Sequence, residues 1–105
     1  MKETSSNRLN KNEIISSVKE ASLTCYGVNS IFTDSKKGFE EDAIYVSFSK
    51  DGTFELEVHV IVMSGVKVTE TIRSLQKTIR YFMNRLYPKH CKKINIFAEG
   101  ISSVN

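Results

Sequence analysis

The residues with the right types for chemistry are two histidines, two cysteines and a pair of closely spaced glutamates. His59 and His90, with Cys25 and Cys91, suggest a metal set at first sight. Their spacing matches none of the short paired ligand patterns of structural or catalytic zinc. Glu55 and Glu57 stand two apart, which on a strand puts two carboxylates on one face. Such a pair could share acid–base work, but it is also the ordinary signature of the wet side of a sheet. The chain contains no GxSxG elbow, phosphate loop, HExxH helix or dinucleotide fingerprint. These residues point to a protein that binds, with no enzymatic activity, no metal and no cofactor.

Charge carries the stronger signal. The formal net charge of +3 conceals an uneven distribution. Between residues 67 and 93 lie Lys67, Arg73, Lys77, Arg80, Arg85, Lys89, Lys92 and Lys93 against Glu70 alone, a local +7. Residues 34–57 hold seven acids against three lysines, a local −4. Within the basic stretch, Arg73, Lys77 and Asn84 fall opposite the apolar stripe of a helix, with Arg80 on one flank and Tyr81 on the other. Solvated helix faces usually mix signs at i, i+4; this one does not. An exposed tyrosine among arginines is also typical of interfaces. Arg73, Lys77, Arg80, Tyr81 and Asn84 are therefore the candidate partner-binding residues.

The elements that would position them follow from hydrophobic rhythm. Phe54, Leu56, Val58, Val60 and Val62 alternate with Glu55, Glu57 and His59, the period of a strand buried on one face. After Gly65 the period lengthens, and Ile72, Leu75, Ile79, Phe82, Met83 and Leu86 trace one helical stripe. Thr69 is the expected N-cap of that helix, Glu70 suits its positive end, and Pro88 stops it. Upstream, Asn10 and Glu13 form a capping-box-like start to a helix carrying Ile14, Ile15, Val18, Ala21, Ser22 and Cys25, closed by Gly27. A weak strand is expected at 28–33 and a charged loop at 34–42. A strand over 43–49 follows, and a last one around Ile94 and Ile96 runs to Ala98.

The hairpin turn fixes a register. A two-residue loop at Asp51-Gly52 would set Ser49 against Phe54 and mix polar with apolar. A three-residue loop with Gly52 left-handed pairs Phe48 with Phe54, Val46 with Leu56 and Ile44 with Val58. The expected fold is α+β: a small two-layer sandwich with two helices on one face of a three- to four-stranded mixed sheet. The order is helix, weak strand, hairpin, helix, strand, with the last strand parallel to the central one. With both helices on one side, the other shows Glu55, Glu57 and Glu99, and a subunit basic on one side and acidic on the other can associate head to tail. Residues 1–9 read as a disordered tail, 10–101 as one domain and 102–105 as a second tail.

With 40% hydrophobic and 26% charged residues, the composition is that of a soluble globular chain. It has no apolar run of the roughly 20 residues a bilayer span needs. The polar amino terminus lacks a secretory core, so the cytosol is the expected compartment and both cysteines read as reduced structural thiols.

The run FELEVHVIVMSG over 54–65, the stretch 66–76 ending in Leu75-Gln76, and INIFAEGI over 94–101 resemble the alkaline shock protein family. These are small bacterial proteins grouped under envelope stress response. That family shows an alternating valine-rich strand ending in Tyr-Gly, a helix containing Val-Gln, and a closing strand of the form Val-Asn-Val-x-Val-x-Gly-Val. Gly65, Gln76, Asn95 and Gly100 stand at matching positions, and the hairpin Gly52 fits too. The family's Thr-Gly after the long helix is here replaced by Tyr87-Pro88-Lys89-His90.

The resemblance implies a non-enzymatic, abundant cytoplasmic protein that self-associates, in some members held at the inner face of the membrane by an anchored partner. The expected function is an assembly or adaptor protein of the envelope stress response type, acting on itself or on an acidic protein. The alternative is a small RNA-binding domain using the same basic helix face, although RNP aromatics and a GxxG clamp are missing.

Overall fold

A computed structural model describes residues 9–32 and 43–102. Its central element is the strand Phe54–Val62, paired along both edges. In chain order the described elements are α1 (Lys11–Thr24), β1 (Val28–Ile31), β2 (Ile44–Phe48), β3 (Phe54–Val62), α2 (Val68–Leu86) and β4 (Cys91–Ile101). β4 runs parallel to β3 along its whole length, while β1 and β2 are both antiparallel to it. β1 pairs with residues 60–62 and β2 with residues 54–58, so the two lie end to end on one edge. They behave as one interrupted strand. The chain departs at Phe32, whose N–H donates to the His59 carbonyl (2.8 Å), and returns at Ala43, whose carbonyl accepts from the His59 N–H (3.0 Å).

Both helices cover the same face. Phe54, Leu56, Val58, Val60 and Val62 are essentially fully buried, in one cluster with Ile14, Val18 and Ala21 of α1 and Leu75, Ile79 and Met83 of α2. Burying each of the larger side chains contributes about 1.5–3 kcal/mol. The intervening Glu55, Glu57, His59 and Ile61 lie on the opposite face, which no described helix covers. The α+β two-layer sandwich with a mixed sheet is thus the observed fold.

Local chemistry sets the boundaries. Asn10 caps α1 through its Oδ1, which accepts from the Glu13 N–H at 3.1 Å. The hairpin uses the three-residue loop: Phe48 opposes Phe54, Val46 opposes Leu56 and Ile44 opposes Val58, with Gly52 at φ +87°. Gly27 has φ +98°, and a Cβ there would lie 2.8 Å from Thr71 Oγ1. The turn after α1 is therefore pressed onto the first turn of α2, which only glycine permits.

Several expectations are corrected. The N-cap of α2 is Lys67, without a side-chain cap, so Thr69 is exposed on the helix and Thr71 is buried against Gly27. Leu86 is half exposed, because Tyr87 takes the end of the core by packing edge-on against Phe54 (5.9 Å, 83°). β4 begins at Cys91 and continues past Ala98 to Ile101. An irregularity around Glu99 shifts the register and restores pairing at Gly100 and Ile101. Leu9, the last residue of the expected tail, packs against the core. The rest of that tail (1–8), the end of the weak strand at 33, the charged loop 34–42 and residues 103–105 lie outside the described residues. Among the described residues, no helix is long and apolar enough to cross a membrane.

Candidate functional site

Three of the five candidate residues come together. Arg73, Lys77 and Arg80 recur on α2 at spacings of four and three, and the crossover into β4 lays that helix along the free edge of the strand. With Gln76 they line an open groove of about 350 Å³, to which Ile94 of β4 also contributes. Tyr81 and Asn84 are exposed on α2 but do not line it. The Tyr81 ring meets Phe82 edge-on at 6.0 Å and is 61% exposed.

Two groove residues have a structural duty that sequence alone did not show. Arg80 donates from Nη1 to the Cys91 carbonyl at 2.6 Å and from Nη2 to the Lys92 carbonyl at 3.3 Å. Gln76 donates from Nε2 to the Ile94 carbonyl at 3.0 Å. These side chains cap backbone acceptors at the start of an edge strand that would otherwise be open to pairing with another chain. Arg80 keeps its charge while two of its five N–H donors are occupied. Arg73 and Lys77 pair with no acid among the described residues and leave the groove positively charged. Burial pushes the nearby Cys91 thiol above its ordinary pKa, although the Arg80 charge and hydrogen bond oppose this.

The second constellation lies on the sheet face that no described helix covers. His59 is 16% exposed and sits between two carboxylates: Nε2 is 2.6 Å from Glu57 Oε2, and Nδ1 meets Glu99 Oε2. Its ring stacks on Phe97 and receives the edge of Tyr45 at 5.7 Å. Only an imidazolium can donate from both nitrogens at once. Burial of the ring works against the charge, but the hydrogen bonds to Glu99 and Glu57, reinforced by their negative charges, lift the His59 pKa above 6.5.

The two carboxylates engage opposite ring nitrogens, so the three groups do not converge on one point. Among the described residues, no set of three His, Cys, Asp or Glu side chains is placed to hold a metal ion. A histidine base must offer a free nitrogen to a nucleophile's proton; both nitrogens of His59 face carboxylates. The other members of the imagined metal set lie elsewhere. His90 Nδ1 contacts the Gly52 carbonyl at 2.8 Å, and the Cys25 Sγ lies 3.7 Å from Ser74 Oγ.

Alternation along β3 already placed Glu57 and His59 on one face. Glu99 was expected on that face as well, but its contact with His59 and the arrival of Phe97 depend on the β3–β4 register, which no local feature of β4 specifies. Neither a protein-family model, nor a curated protein, nor a solved structure matches the chain.

Proposed function

We propose that this protein is a non-enzymatic assembly or adaptor module of the envelope stress response type, binding an acidic protein surface or another copy of itself through the α2–β4 groove. The observation that carries this reading is the groove itself: Arg73, Lys77 and Arg80 gathered over Ile94, with one sign of charge. Opposite charges across an interface steer encounter and select partners. The family part of the reading draws support from Gly52 and Gly65, two positions of the resemblance, both at positive φ (+87° and +92°). In a cell, such a module would work in the cytoplasm, or at the inner membrane face when its partner is anchored there.

Static light scattering of nucleic-acid-free protein at low and high salt tests the proposal. Association at low salt that reverses as screening shortens the reach of the charges supports it. The same cations beside exposed Tyr81 also suit phosphates and bases. A protein that stays monomeric at low salt and shifts a structured RNA in a gel would replace the assembly reading with an RNA-binding one.

A further inference from the structure

We infer that the face of the sheet that no described helix covers, centred on His59 and Phe97, is the surface on which the α2–β4 groove of a second copy docks. The inference rests on the assembly reading and adds the acidic counterpart that reading leaves open. The face combines two things a cationic groove recognises. Glu57 and Glu99 each use one carboxylate oxygen on His59, which leaves each a second oxygen to accept from an arginine or lysine. Between them Phe97 is 46% exposed, presenting aromatic surface on which guanidinium groups stack.

Glu55 extends the acidic rim and faces Lys93 across the β3–β4 ladder; with the His59 imidazolium, that makes two cations against three acids, so the face keeps one net negative charge. The helices occupy one side of the molecule and this face the other, so groove and face cannot satisfy each other within one chain. A contact between them is heterologous, and repeated it builds a ring where the rotation closes and an open stack where it does not.

Neutralising variants on each side separate the possibilities. Arg73→Gln with Lys77→Gln disables the groove and keeps the face; Glu55→Gln with Glu57→Gln disables the face and keeps the groove. Because Glu57 also holds His59, Glu55→Gln with Phe97→Ala serves as a second face variant that leaves both carboxylates of the clamp in place. In light scattering at low salt, wild type should grow beyond a dimer and each variant alone should stay monomeric. An equimolar mixture of a groove variant with a face variant should reach twice the monomer mass and stop. The Lys93→Glu variant should associate at higher salt than wild type.

Face variants that grow as wild type does would overturn the docking surface and leave the assembly reading in place. A mixture that stays monomeric would do the same. A wild-type protein that is monomeric at low salt would overturn the docking surface together with self-association, and would leave the groove to an acidic protein other than this chain.

Discussion

His59 lies flat against Phe97, the ring centroids 4.9 Å apart and the planes 18° from parallel. The two are direct partners in the parallel β3–β4 ladder. The stack holds the imidazole edge-on to both flanking carboxylates, so its geometry and its proton depend on each other. A neutral ring would present a lone pair to one of the two glutamates.

The clamp makes stability depend on pH in a definite direction. The His59 pKa is raised on folding, so the stabilisation is complete below the unfolded value of 6.5 and is lost as pH rises through the elevated folded value. Thermal unfolding followed from about pH 6 to about pH 8, within the histidine range and below that of the Cys91 thiol, should show a falling midpoint in wild type. His59→Gln should remove most of that slope. A slope unchanged in the variant would assign the pH dependence to other groups.

The parts of this fold that were legible in the sequence are those fixed by local rules. Alternation exposed both faces of β3, and keeping Phe48, Val46 and Ile44 level with Phe54, Leu56 and Val58 chose the hairpin loop and its register. Asn10 marked the start of α1 by cap chemistry alone, whereas the helix stops at Thr24, short of the expected Cys25, with Cys25 an extended C-cap and Gly27 in the turn beyond it. What escaped depends on partners distant in sequence. Arg80 reads as a surface cation until the edge carbonyls of β4 are beside it. His59 reads as a stray polar residue until register stacks it on Phe97 and sets it against Glu99. Leu86 fits the helical period but overruns the sheet beneath it, whose end is sealed by Tyr87.

That difference between periodicity and burial can be measured. Ile79 is fully buried, so Ile79→Ala should lower stability by about 2–5 kcal/mol in urea unfolding. Leu86→Ala, at a position 49% exposed, should change it by less than about 1 kcal/mol. Equal effects would mean that the core extends along the whole stripe.

Gly27 should tolerate no side chain. At φ +98° an alanine is strained, and its Cβ would fall 2.8 Å from Thr71 Oγ1 and 3.0 Å from Thr71 Cγ2. Gly27→Ala should therefore destabilise by more than about 1 kcal/mol. Adding Thr71→Ala should recover only the part due to the clash, because the backbone strain remains. Full recovery in the double variant would show that contact alone requires glycine.

Arg80 is the one groove residue whose two roles can be separated by a conservative change. Its guanidinium reaches two backbone carbonyls at once, while its charge belongs to the groove. Arg80→Lys keeps the charge and loses the forked geometry, since an ammonium is a compact point donor on a flexible stem. Stability should fall by about 1–3 kcal/mol, the range for hydrogen bonds to charged groups, while salt-reversible association survives. Arg73→Gln should do the reverse, because Arg73 caps nothing in the fold among the described residues. Urea unfolding and light scattering on the same two proteins give the four values needed. If Arg80→Lys left stability unchanged but abolished association, the carbonyl contacts would be incidental and the guanidinium itself would be the recognition element.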